Sequence, residues 1–209
     1  MPRNLLRAGA LLCALMVGPL TQQKQAFTSF SAFPPDFWPV TIYTANPYVE
    51  KIECDEGSGT GFKLQDGRWV SAFHVAGKLH GCSIDGRPIH LTEGDEGSDY
   101  AIFDVPGDRR FGGLPVDCQG YRDQQWYFGV GHGRGDPWPQ IVSVRYSAFY
   151  TFLAHNGWAI LDVNRFVPGM SGGPVFDQWG RVAGIVNAFG VYTKLSMSLP
   201  LQETPICQK

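Results

Sequence analysis

From residue 59 onward the chain is a succession of short apolar runs separated by turn residues, and none of them carries a helical period over three turns. The runs are 59–64, 68–73, 88–92, 100–105, 125–130, 140–150, 158–163, 174–176, 181–187 and 190–195, rich in Val, Ile, Phe and Tyr. Between them are scattered the 26 glycines and 15 prolines of a 209-residue chain. Asp66-Gly67 and Trp179-Gly180 each separate two runs and read as hairpin turns. About ten strands at this spacing bury their inward faces as a sandwich or as barrels. A Gly- and Pro-rich gap at 106–117 divides them into two groups, so two small barrels side by side, with a cleft between, are expected.

Composition narrows the partners. Hydrophobic residues make up 44% and charged residues 17%, with a net charge of −2, which gives neither a disordered tail nor an electrostatic grip on a phosphate backbone. Nucleic acid is not an expected partner. Arg3 and Arg7 precede an apolar stretch at 8–20 that contains Pro19 and is shorter than the about 20 residues a spanning helix needs. Residues 1–26 read as a secretory signal peptide ending at Ala26. Lys24 stands where a small residue is preferred before the cut, so an uncleaved anchor holding the chain to a membrane through residues 8–20 stays open. Residues 27–40 read as a Pro- and Phe-rich tether. The expected location is secreted, periplasmic or at the cell surface.

Removing Cys13 with the signal leaves Cys54, Cys82, Cys118 and Cys207, which allow three disulfide connectivities. Cys54 with Cys82 and Cys118 with Cys207 is the expected set. None of the four shows the close paired spacing of a zinc site, and neither a metal nor another cofactor is expected.

One glycine-rich run carries chemistry. In Gly169-Met170-Ser171-Gly172-Gly173-Pro174 the lack of side chains lets the backbone turn tightly and leaves the N–H groups of Gly169 and Ser171 open to a substrate. A serine hydroxyl needs an adjacent base, a carboxylate to orient that base and donors for the developing oxyanion.

That run, followed by Val175-Phe176, a turn and Gly184-Ile185-Val186, resembles the trypsin-like (chymotrypsin-fold) serine peptidases, especially the prokaryotic and viral branches with glutamyl endopeptidases and the HtrA group. Gly59-Thr60-Gly61-Phe62, the hydrophobic strand Trp69-Val70-Ser71-Ala72-Phe73 ending at His74, and Asp99-Tyr100-Ala101-Ile102-Phe103 match the family's other motifs in the family's order. The resemblance implies an all-β chain of two six-stranded antiparallel Greek-key β-barrels, with the active site in the cleft between them. The N-terminal barrel, 41–110, would carry His74 and Asp99, and the C-terminal barrel, 111–209, would carry Ser171. It further implies a serine endopeptidase that cleaves polypeptides through an acyl-enzyme, with His74 as general base and acid, Asp99 orienting it, Ser171 as nucleophile and the N–H groups of Gly169 and Ser171 as oxyanion hole.

His74 and Asp99 are 25 residues apart, and Asp99 and Ser171 are 72 apart, so only a tertiary fold can join them. Asp95 and Asp104 are rivals for the carboxylate role. His80, His90, His132 and His155 lack a comparable setting, and Arg134-Gly135-Asp136 reads as a turn before Pro137.

The resemblance also implies substrate contacts from Arg165 and Phe166, ahead of the serine, and from Asn187, Ala188 and Phe189 on the strand after it. Arg165 would favour an acidic side chain, whereas Phe189 would narrow the pocket and favour small ones; both remain open. Met170 stands where the digestive branch has a carboxylate that receives a newly cut N-terminus, so a peptidase competent without that insertion is expected. Two other readings remain: a catalytically silent peptide-binding relative, and an esterase on the same fold.

Overall fold

The computed structural model describes residues 46–148, 158–163, 165–189 and 195–208. The expected signal segment and tether lie outside these. Seven strands form one curled antiparallel sheet: β1 (Val49–Cys54), β2 (Gly57–Lys63), β3 (Trp69–Ser71), β4 (Ser83–Ile84), β5 (Arg87–Pro88), β6 (His90–Asp95) and β7 (Tyr100–Asp104), in the order β5-β4-β1-β2-β3-β7-β6. Six form a second: β8 (Trp126–Gly131), β9 (Gln140–Arg145), β10 (Ala159–Val163), β11 (Pro174–Phe176), β12 (Val182–Phe189) and β13 (Leu195–Pro200), in the order β10-β13-β12-β11-β8-β9. This is the two-barrel architecture expected. The first sheet gains its seventh strand because the chain after Cys82 makes a two-residue rung, β4 with β5, whose Pro88 sits at the sheet edge where a missing donor costs nothing. β1 and β4 are too polar to have been read as strands.

The segment between the sheets is stitched to both, Leu64 bridging Leu114 and Val116 bridging Val182. Apolar side chains collect in three places. One cluster lies within the first sheet around Ile52, Trp69 and Phe103, and one within the second around Tyr127, Phe166 and Met170. The third joins Phe62 and Val70 of the first sheet to Phe128, Phe176 and Ile185 of the second. Each fully buried side chain of this size contributes about 1.5–3 kcal/mol, so the shared cluster keeps the two sheets in register with each other. The first sheet is also held by a polar knot: Asp108 Oδ2 accepts from Lys63 Nζ (2.9 Å) and Trp69 Nε1 (3.1 Å), and its Oδ1 accepts from Arg110. In the second, burial pushes the Tyr121 hydroxyl far above its ordinary range, so it stays a neutral partner for Ser198 Oγ at 2.6 Å.

The disulfides are the expected pairs, Cys54–Cys82 with S–S 2.05 Å and Cys118–Cys207 with S–S 2.00 Å. The first closes the loop that contains β2, β3 and His74.

Register decides which loops meet. Ser71 on β3 pairs with Ala101 on β7, so the residues just after β3 and just before β7 emerge together. Pro174 on β11 pairs with Ile185 on β12, which sets the loop before β11 beside Val186 and Asn187.

Candidate active site

β3 stops at Ser71, opposite Ala101, because its partner β7 begins only one residue earlier, at Tyr100. The chain then makes one helical turn, α1 (Phe73–Ala76), where the sequence reading had a strand continuing to His74. Val75 and Ala76 are buried beneath it, which leaves the His74 side chain 41% exposed. The Asp99 carboxylate, 10% exposed, accepts on Oδ1 from the His74 backbone N–H (2.8 Å) and sits 3.1 and 2.8 Å from His74 Nδ1 through Oδ1 and Oδ2. An ionised carboxylate only accepts, so the ring proton resides on Nδ1 and Nε2 carries the free lone pair.

Asp99 has φ +62°, a left-handed conformation uncommon for a residue with a Cβ. Asn187 secures it: its Nδ2 donates to Asp99 O and to Asp99 Oδ2, both at 3.0 Å, while its Oδ1 accepts from Leu199 N–H. The rivals are spent elsewhere, Asp95 on the N–H of Ser98 at 2.5 Å and Asp104 at the exposed end of β7.

Ser171 lies in the loop before β11. Gly169 has φ +95° and Gly172 φ +85°. A Cβ on Gly172 would lie 2.1 Å from Ser71 Oγ and 2.2 Å from Thr60 O, and one on Gly169 would lie 2.5 Å from His132 O, so neither position accepts a side chain. Main-chain bonds fix the loop: Arg134 N–H to Pro168 O (2.6 Å), Met170 N–H to Val167 O (3.1 Å), Gly172 N–H to Val186 O (2.6 Å) and Thr60 N–H to Ser171 O (2.8 Å). The Pro168 carbonyl faces Arg134, so in a planar trans peptide the N–H of Gly169 points the opposite way. Met170 is fully buried among the apolar residues of the second sheet. The Ser171 hydroxyl donates to Asn187 O at 3.4 Å and makes no hydrogen bond to the His74 ring.

The model of the trypsin-like peptidase domain matches residues 59–185, more than half of the chain. The chain belongs to this peptidase family. The peptidase is thereby a serine-type endopeptidase by class. Its fold is also that of solved proteases. The active form of a protease from M. tuberculosis superposes with a TM-score of 0.63 at 20% identity, over 82% of this chain and 83% of that one. A serine endoprotease from Yersinia pestis gives 0.66 at 16%, over 80% of this chain and 64% of that one. The HtrA-type protease AlgW, in a structure with a tripeptide, gives 0.63 at 18%, over 77% and 58%. No curated protein matches the chain.

In the peptidase, His74, Asp99, Ser171 and Asn187 line one cleft of about 490 Å³, within the range of small ligand sites. Phe166, Val167, Pro168 and Val186 form an apolar stretch of its wall, and Trp158 lines it from the start of β10, with its indole N–H 3.4 Å from Ser98 O of the first sheet. Lys78 and Glu96 also line the cleft and form an ion pair with each other.

Of the expected substrate contacts, Phe166 and Asn187 line this cleft, while Arg165 is exposed and is not part of its lining. The backbones of Ala188 and Phe189 pair with β13; their side chains lie outside the described residues, as does His155. The Asn187 side chain is buried and its amide binds Asp99, which its strand position alone could not reveal. His80 pairs with Glu56 at the surface and His90 lies exposed on β6. His132 is buried, its Nδ1 3.0 Å from Asp136 O.

Proposed function

We propose that the chain cleaves peptide bonds through an acyl-enzyme, with Ser171 as nucleophile, His74 as general base and acid, and Asp99 as the carboxylate that orients and charges-balances the ring. The observation that carries the reading is the His74–Asp99 pair, held in the Nδ1–H tautomer in the same cleft as Ser171. On binding substrate the Ser171 hydroxyl leaves Asn187 O and gives its proton to His74 Nε2 as Oγ attacks the carbonyl carbon; catalytic hydrogen bonds of this kind often form only in the substrate complex. The carbonyl oxygen, now negative, takes the N–H groups of Gly169 and Ser171. His74 passes the proton to the departing amine, and water, activated by the same ring, releases the acyl group.

The apolar wall of Phe166, Val167, Pro168 and Val186 supports an uncharged, apolar residue on the acyl side of the cut, since the lining charges Lys78 and Glu96 neutralise each other. Two disulfides support an oxidising compartment.

One observation favours the silent reading, the Ser171 hydroxyl resting on Asn187 O. A fluorophosphonate separates the possibilities. A Ser171 adduct with cleavage of a peptide library, both lost in Ser171→Ala, supports the peptidase. Absence of the adduct refutes it, and an adduct with ester but no peptide turnover points to the esterase.

A further inference from the structure

Thr60 belongs to β2 of the first sheet and is fully buried, yet its N–H and its hydroxyl both serve the second sheet. The N–H donates to Ser171 O at 2.8 Å. The hydroxyl donates to Gly169 O at 2.8 Å and accepts from the N–H of His132 at 2.9 Å. Its carbonyl is held in turn by Ser71 Oγ at 2.7 Å. One residue therefore touches the carbonyls of both Gly169 and Ser171, whose N–H groups form the oxyanion hole in the reading above.

The contact matters because of where the loop is free to turn. A peptide unit is planar, so fixing its carbonyl fixes the direction of the N–H at its other end. Gly169 joins two such planes and has no side chain to limit its own rotation. The plane on its N-terminal side is fixed by Arg134 N–H on Pro168 O. The plane on its C-terminal side, Gly169–Met170, is fixed by the Thr60 hydroxyl. Without that hydroxyl, Gly169 O and the N–H of His132 lose a shared partner, and buried polar groups move to recover one.

We infer that Thr60 is a positioning residue: its hydroxyl locks the Gly169–Met170 peptide, the plane between the one that carries the Gly169 N–H and the one that carries the Ser171 N–H, so that the two donors of the oxyanion hole keep their mutual direction, and it couples that loop to the sheet that carries His74 and Asp99. The inference rests on the catalytic assignment of Ser171, Gly169 and His74 proposed above. Thr60 touches no reacting atom. Its effect falls on kcat, because an oxyanion exists only after the attack.

The test uses the full chain and three variants. Thr60→Val keeps the shape and deletes the hydroxyl, Thr60→Ser keeps the hydroxyl, and Ser171→Ala is the control. With a fluorogenic peptide, Thr60→Val is expected to lose about tenfold to a hundredfold in kcat with KM within about twofold, the scale of a misplaced oxyanion donor. The inhibition constant of a peptide aldehyde, whose hemiacetal oxygen occupies the same hole, is expected to rise by the same factor. Thr60→Ser is expected to recover most of the loss. A folded Thr60→Val with wild-type kcat overturns the inference, and so does a Thr60→Ser variant as impaired as the valine. A hydroxyl-free chain that fails to fold also overturns it, because the hydroxyl would then serve the fold as a whole. If Ser171→Ala itself retains turnover, the underlying site assignment fails instead, whatever Thr60 does.

Discussion

His74 and Asp99 meet through side-chain hydrogen bonds, whereas Ser171 sits in a loop held chiefly by main-chain hydrogen bonds, to which the Thr60 hydroxyl and the packed Met170 side chain add. On the first side, the Asp99 carboxylate accepts from the His74 N–H, from the ring and from Asn187. On the other, Pro168 O, Ser171 O and Val186 O are held by N–H groups, and glycines stand at φ +95° and +85°. The first half is specified by charge and hydrogen-bond character at a few positions. The second is specified by the absence of side chains, so the two halves should fail in different ways.

The largest effect is expected from Asp99→Asn. Every partner of the carboxylate is a donor, and an amide must turn its own donor toward at least one of them. Asparagine tolerates the left-handed backbone, so the fold should survive with the ring in the wrong tautomer. A loss of about 10⁴-fold in kcat is expected with little change in melting temperature. A loss under about tenfold would show that the first half does not work by charge.

Gly172→Ala comes next and should fail structurally. The new methyl group has no room between Ser71 Oγ and Thr60 O, and φ +85° alone costs about 1–2 kcal/mol. Loss of about a hundredfold or more in activity is expected together with a melting temperature lowered by several degrees. Normal stability with lost activity would mean that the loop is not the rigid partner described here.

The smallest effect concerns acid stability of the first sheet. Burial raises the pKa of Asp108, but its hydrogen bonds from Lys63, Arg110 and Trp69 and the Lys63 charge outweigh that and leave it below the ordinary value. A lowered folded pKa stabilises the native state above the unfolded pKa of about 3.9, and that contribution is lost as pH falls through it toward the folded value. Asp108→Asn should therefore lose on the order of 2 kcal/mol at pH 7 and approach the wild type near pH 3, with kcat unchanged. Equal losses at both pH values would sever Asp108 from the acid limb.

The strand runs were legible because alternating β-rich segments and turn dipeptides are local signals; β11 matches its sequence reading residue for residue. β1 was not, because its two fully buried residues, Val49 and Ile52, lie three apart on opposite faces among Glu50, Lys51 and Glu53 and leave no alternation to read, and β4 is only two residues long. The helical turn at His74 was hidden because Val70 through Val75 reads as one apolar strand, and only the end of pairing at Ala101 breaks it. His74, Asp99 and Ser171 carried motifs. Asn187 carried none, and Thr60 holds only the unspecified position of the Gly-x-Gly-Phe strand: each acts through a polar group on a residue 88 and 109 positions away, and nothing local distinguishes such a residue from an ordinary strand residue. Arg165, expected at the pocket because it precedes the serine, lies exposed and outside the lining of the cleft.

Met170 has a consequence for the conditions under which the enzyme can work. Where relatives of the digestive kind secure this loop with a buried charge pair, the present chain secures it with the volume of a thioether side chain packed among Tyr127, Leu161 and Val175. Dissolved ions screen charges but leave packing untouched. The serine loop is thus anchored by a contact that concentrated salt does not loosen.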